Sequence, residues 1–203
     1  AISDNVRALT ECGVRLIHLP KLVRNLRPIV DLRAFFSLVA LIRRERPVIV
    51  HTHTSKAGIL GRWAAWICRV PVIVHTPHGH VFFGYFGPVL TSLFVLLERW
   101  TARITDVVIA LTPREKADHL RFRIAPEEKF TVIHSGVELE PFFAAGHCAA
   151  ACREAAKLSP GATVVATAGR LTAVKGQDTL ILAVADCIHH GKPILLLLLG
   201  DGE

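Results

Sequence analysis

The chain has 203 residues, of which 51% are apolar and 20% charged, with a mean hydropathy of +0.42; this excludes a disordered chain and leaves room for one large or two small folded domains. The net charge of +7 is uneven, because residues 1–70 hold twelve Lys/Arg against four Asp/Glu while residues 71–203 hold twelve against thirteen. A basic first third fits an anionic lipid surface or a phosphorylated ligand, whereas 7% aromatics that nowhere interleave with basic residues argue against nucleic-acid binding by base stacking.

The chain opens on Ala1 inside a helical pattern and contains no Met, so the expectation is a fragment whose natural start and first strand lie upstream. Short runs rich in Val and Ile then predict strands at Val14–Leu19, Val48–His51, Val72–His75, Asp106–Leu111, Phe130–Ile133, Thr163–Ala168 and Ile194–Leu199. Helical patterns fall between them. In the clearest, Asp31–Arg46, Leu32, Phe35, Phe36, Val39 and Ile42 follow i, i+3, i+4, i+7 spacing with Asp31 as the expected N-cap. Others are expected at Lys56–Cys68, Val89–Ile104, Pro113–Leu120, Ala149–Lys157 and Gln177–His190. Strands that are continuously apolar and alternate with helices indicate an α/β fold of doubly wound, Rossmann-like parallel sheets.

The alternation breaks over Ser135–Pro160, where Gly136, Pro141, Gly146 and Ser159-Pro160-Gly161 interrupt it. This places a domain connection at its start, with one domain over residues 1–134 and a second over residues 135–203. The second resumes for two strands and is expected to be truncated at Glu203.

Val70–Leu97 is long enough to cross a bilayer, but Pro71, Pro77, Gly79, Gly84, Gly87 and Pro88 divide it into a strand, a loop and a helix. A cytoplasmic protein is the default expectation. Five scattered cysteines, Cys12, Cys68, Cys148, Cys152 and Cys187, show no CxxC spacing and argue against a disulfide framework. His147, Cys148 and Cys152 form no strong zinc pattern. Five of the eleven histidines fall within residues 51–80, yet His51-x-His53 and His75-x-x-His78 lack an acidic partner and a familiar ligand spacing, so no metal is expected.

The most informative stretch is AGRLTAVKGQDTLILAVA, residues 168–185. Gly169 and Arg170 close a strand, and Lys175-Gly176 lead into the next helix, whose free N–H groups and positive dipole end suit phosphate at the carboxyl edge of a parallel sheet. A planar guanidinium and a mobile ammonium together suit a diphosphate leaving group. The same spacing also suits an ordinary surface Arg and Lys beside a loop glycine. Asp178 reads as a first-turn acid complementing the helix dipole.

Through GRLTAVKG the chain resembles the family 4 glycosyltransferases of the two-domain GT-B fold, which carry a GR…KG donor-phosphate motif. HTHTSKAGILGR (51–62), HTPHGHVFFGYFG (75–87), VIALTPREK (108–116), VIHSGVE (132–138) and LLGDGE (198–203) resemble further landmarks in the family's order. The resemblance covers nearly the whole chain and is nearest to bacterial enzymes of exopolysaccharide and surface-glycan synthesis. VIHSGVE departs from the family's commoner Asn-Gly-Val-Asp by carrying Ser135 and Glu138.

The resemblance implies an acceptor-side first domain and the start of a nucleotide-sugar donor domain. It implies a retaining transfer from a nucleotide-diphosphate sugar, UDP-linked rather than GDP-linked, to a glycan or lipid-linked acceptor, with no metal or other cofactor. Arg170 and Lys175 match the pair that stabilises the departing diphosphate, while Gly169, Gly200 and Gly202 match the backbone that approaches the nucleotide. His78 matches the histidine that faces the transferred sugar, with His75 as a competing choice. His53, Ser55, Lys56 and Gly79 are the acceptor-side candidates, and VFFGYFG is an acceptor lip, a membrane contact or packing. Arg43, Arg44 and Arg46 fit docking to an anionic inner leaflet, or simply complement their helix dipole. The family's Gly-rich loop and downstream Glu pair are not in this sequence, so the fragment alone is expected to be inactive. A nucleotide-sugar epimerase and a non-catalytic sugar-nucleotide-binding protein are the rival readings.

Overall fold

A computed structural model describes residues 9–23, 25–79, 87–145, 149–158, 161 and 163–202. Positions 81–86 of the VFFGYFG segment, together with Gly146, His147, Cys148, Ser159, Pro160 and Glu203, lie outside the described residues. The chain divides into two compact units, Ala1–Ser135 and Gly136–Glu203.

In the first unit, α1 (Pro28–Glu45) leads to β1 (Ile49–His53), α2 (Ser55–Ile67), β2 (Val72–Thr76), α3 (Pro88–Arg103), β3 (Val107–Ala110), α4 (Pro113–Arg121) and β4 (Phe130–Val132). The four strands form one parallel sheet in the order β1-β2-β3-β4. Ile73 and Val108 are almost fully buried at its centre, which explains why β2 and β3 are apolar at successive positions rather than at alternate ones.

Two clusters make the core. Val39 and Ile42 of α1 meet Ala64 and Ala65 of α2 over Ile73, and Val95 and Ala102 of α3 meet Val108, Ile124 and Phe130. The two alanines are wholly buried, and their small side chains let α1 and α2 approach closely over the sheet.

Helix α1 starts three residues before the expected N-cap. Pro28 occupies its first turn, where the missing N–H costs nothing and the ring presets φ. Asp31 therefore acts inside that turn, accepting the Arg27 N–H at 3.0 Å. At the other end Arg46 takes the left-handed conformation, φ 48°, and its N–H returns to the Ile42 carbonyl.

Val14–Leu19, expected as a strand, is irregular among the described residues, and its Val14, Leu16 and Ile17 are exposed. An apolar run becomes a strand only where a neighbour receives its hydrogen bonds. The bonds at the head of this run are local, from Gly13 N–H to Thr10 and from Val14 N–H to Leu9.

The second unit carries α5 (Glu140–Ala145), a short helix that periodicity did not reveal, α6 (Ala149–Ala155), β5 (Thr163–Ala168), α7 (Gln177–His189) and β6 (Ile194–Leu199). β5 and β6 pair in parallel over their whole length, Thr163 opposite Ile194 through Ala168 opposite Leu199. Both coincide with the expected strands.

Candidate functional site

The carboxyl ends of β1 and β2 bring three histidines together. The register places His53 opposite Thr76, and two residues beyond it His78 occupies the left-handed region with φ 56°. His53 Nδ1 and His78 Nε2 share a hydrogen bond of 2.8 Å, His51 Nε2 lies 2.8 Å from Thr76 Oγ1, and the His51 and His53 rings are tilted with centroids 4.2 Å apart. Burial first, and neighbouring imidazoles second, hold His51 and His53 below the ordinary histidine range. At neutral pH His51 and His53 therefore supply hydrogen bonds rather than charge. Among the described residues no three His, Cys, Asp or Glu side chains are grouped to hold a metal ion.

His75 and His78 separate by burial. His75 is 1% exposed, its Nδ1 lies 2.9 Å from Thr52 Oγ1, and a Cβ on Gly58 of α2 would collide with its ring. It is a core residue, while His78 is exposed. Desolvation, reinforced by the Arg62 charge, lowers the His75 imidazole to about 2.

The unfolded chain takes up this proton near pH 6.5, and the folded chain does so only near pH 2. The stabilisation from a neutral His75 is thus fully present above pH 6.5 and is lost as pH falls through that window, by about 1.4 kcal/mol per pH unit. The urea midpoint is expected to fall between pH 7 and pH 5; equal midpoints would refute the assignment.

Lys56 does not stand free for an acceptor. Its ammonium pairs with the Asp31 carboxylate and donates to the Asn25 carbonyl at 2.6 Å, tying the start of α1 to the start of α2. Ser55 is half-buried at the first position of α2, after Thr54 in a left-handed conformation of φ 63°. Gly79, at φ 90°, follows His78 in the same turn, and a cavity of about 760 Å³ opens beside it, lined by His78, Gly79, Leu111, Thr112, Arg114 and Glu115 among others.

In the second unit the strand ladder continues into the loops. Gly169 N–H donates to the Leu199 carbonyl at 2.8 Å, Leu171 N–H to the Asp201 carbonyl at 2.9 Å, and Leu171 pairs with Gly202. A Cβ on Gly200 would fall onto the Gly169 carbonyl oxygen, so this approach of two backbones requires glycine. Arg170 and Lys175 are both exposed on the loop after β5. Gln177, the first residue of α7, donates from its side chain to the Arg170 carbonyl at 3.0 Å, and Gly176, at φ 67°, turns the chain into that helix. Two cations and the free N–H groups of a 13-residue helix thus gather at the carboxyl edge of β5.

Arg43, Arg44 and Arg46 lie at the other edge of the first sheet, where α1 ends just before β1 begins. Arg44 pairs with Glu45, while Arg43 and Arg46 line a cavity of about 510 Å³ with Arg69. Among the described residues no helix is long and apolar enough to cross a membrane.

The family model of the glycosyl transferase 4-like domain matches residues 2–136. The chain belongs to this family. It is 32% identical over 193 residues, 94% of its length, to the UDP-Gal:alpha-D-GlcNAc-diphosphoundecaprenol alpha-1,3-galactosyltransferase of Escherichia coli, of which it covers 50%. It is 25% identical to the capsular polysaccharide biosynthesis glycosyltransferase CapM of Staphylococcus aureus, with all of this chain aligned to 53% of that one. The chain thus spans about half the length of these curated relatives.

Among solved structures, a glycosyltransferase from Rickettsia africae has a TM-score of 0.66 at 21% identity, covering 98% of this chain and 50% of that one. Anabaena Alr3699/HepE, solved in complex with UDP-glucose, has a TM-score of 0.64 at 21% identity, covering 86% and 45%. These likenesses establish the GT-B fold.

One residue of the histidine edge was not singled out by motif. Glu115 is 8% exposed and accepts the Gly79 N–H at 2.9 Å. Its available signal was Thr112-Pro113-Arg114-Glu115, the spacing of a capping box.

Proposed function

We propose that this glycosyltransferase chain carries the acceptor-side unit and the start of the donor-side unit of a retaining enzyme. The enzyme moves a sugar from a UDP-linked donor to a lipid-linked or glycan acceptor in bacterial surface-polysaccharide synthesis, on the cytoplasmic face of the membrane. The observation that carries the reading is the gathering of Arg170, Lys175 and the N-terminus of α7 at the carboxyl edge of β5. In the proposed reaction negative charge builds on the departing diphosphate as the sugar becomes oxocarbenium-like, and fixed cations and helix N–H groups lower that barrier. His78 contacts the transferred sugar. Support for a UDP-sugar and a diphosphate-lipid acceptor comes from the names of the relatives, which give both for the Escherichia coli enzyme.

The test is transfer by the natural polypeptide that carries this sequence, offered UDP- and GDP-sugars together with a diphosphate-lipid-linked N-acetylglucosamine in anionic vesicles. The expected result is transfer from a UDP-sugar alone, with the anomeric configuration retained. Failure of all donors would overturn the reading, and free epimerised sugar nucleotide formed without acceptor would replace it with an epimerase. In the same assay, Arg43→Glu with Arg46→Glu should reduce transfer on vesicles and spare transfer to a soluble acceptor analogue. Equal transfer on vesicles would remove the membrane surface from the proposal.

A further inference from the structure

The turn that carries His78 is held by a residue far away in sequence. Its two central residues, His78 at φ 56° and Gly79 at φ 90°, stand in succession in the left-handed region. A side-chain-bearing residue persists there only where its surroundings hold it. Two contacts do so: the 2.8 Å bond between the His53 and His78 rings, and the 2.9 Å bond from the Gly79 N–H to Glu115 Oε1, which links positions 36 residues apart.

Glu115 sits in the first turn of α4 and is 8% exposed. Its Oε2 accepts the Leu111 N–H at 2.6 Å, and its own N–H donates to Thr112 Oγ1, the N-cap, at 3.0 Å. In an ordinary capping box the carboxylate would serve only its own helix start. Here one oxygen serves the β3–α4 turn and the other reaches the β2 loop. A buried carboxylate with both oxygens engaged by N–H groups of different loops fixes each against the other.

We propose that Glu115 is a positioning residue for His78. Through the Gly79 N–H it holds the left-handed turn from which the His78 ring projects, beside the cavity that both residues line. This rests on the transferase reading, in which His78 contacts the transferred sugar.

The test uses Glu115→Ala and Glu115→Gln in the natural polypeptide. Glutamine keeps the shape but offers one acceptor oxygen, so one of the two N–H groups loses its partner. Displacing a group that meets the reacting sugar is expected to lower kcat by about tenfold to a hundredfold in Glu115→Ala, and by less in Glu115→Gln. Donor KM, UDP affinity and the thermal midpoint of Glu115→Gln should stay at wild-type values, while the Gly79 amide exchanges its proton faster.

A kcat within about threefold of wild type in both variants would overturn the proposal. So would a parallel loss of kcat, donor binding and thermal midpoint, which is the signature of a merely structural role. Should Glu115→Ala fail to fold, Glu115→Gln decides. If the wild type itself transfers no sugar, the transferase reading fails separately and the Gly79 amide decides for Glu115. Faster exchange at an unchanged thermal midpoint then upholds the tie, and wild-type exchange overturns it.

Discussion

Replacing Arg170 and Lys175 together by alanine is expected to weaken UDP binding by the natural polypeptide by about a hundredfold or more. Each side chain would make a charge-assisted bond to phosphate, worth about 1.5–3 kcal/mol, so losing both exceeds the 2.7 kcal/mol or so that a hundredfold represents. Both are exposed, and among the described residues neither forms an ion pair that the substitution would break. The backbone around them is held independently, by the Gln177 side chain on the Arg170 carbonyl and by the ladder bonds at Gly169 and Leu171. The double variant should therefore keep the wild-type thermal midpoint while calorimetry shows the loss of UDP. Equal affinity in the two proteins would mean that these cations are not the phosphate clamp, and the proposed stabilisation of the leaving group would fall with it.

The largest stability effect is expected at Arg62. Its side chain is 1% exposed, and its Nη2 donates to both oxygens of Glu98, at 2.8 and 3.1 Å. Its Nε donates to the Gly58 carbonyl at 3.0 Å, and Nη1 reaches Thr105 Oγ1 at 3.4 Å. One guanidinium thus joins α2, α3 and the turn before β3. Arg62→Ala leaves the Glu98 carboxylate, itself largely buried, without its counter-charge, and should cost about 3–5 kcal/mol. Much of that cost is the orphaned carboxylate rather than the value of the pair, so Arg62→Met combined with Glu98→Leu should recover most of it. Urea unfolding at pH 7 measures both. A loss under about 1 kcal/mol in Arg62→Ala would show that the pair is solvated enough to be dispensable.

How far the sequence reached is clearest residue by residue. β5 and β6 were legible to the residue because each is a short run rich in Val, Ala or Leu bounded by Gly or Pro, although every residue of both strands is half-buried or exposed. Val14–Leu19 is a comparable apolar run, interrupted by Arg15 and His18, that pairs with no strand among the described residues, and composition does not encode partnership. The meeting of the loops after β5 and β6, Gly169 against Gly200 and Leu171 against Gly202, was legible because short loops after adjacent parallel strands must emerge at the same edge of the sheet.

The preference for His78 over His75 came from the resemblance, and its physical reason was not legible. It depends on Gly58, seventeen positions away, which leaves room for one ring and so draws His75 inward. Lys56 looked like an acceptor cation because nothing local shows that Asp31, twenty-five residues earlier, takes its charge. Glu115 was half legible. Its capping pattern lies in four consecutive residues, while its bond to Gly79 exists only once β2 and β3 are side by side.

The bond between the two edge histidines has a consequence for how the molecule is made. It joins β1 to the loop after β2, and the pairing of His53 with Thr76 brings the rings within reach. A slip of one residue between these strands would turn His53 to the opposite face of the sheet and separate the pair. The contact is therefore a register mark: a newly synthesised chain that has zipped its edge strand one step out of alignment cannot close it. Closure of the histidine edge and correct threading of the sheet thus become a single event.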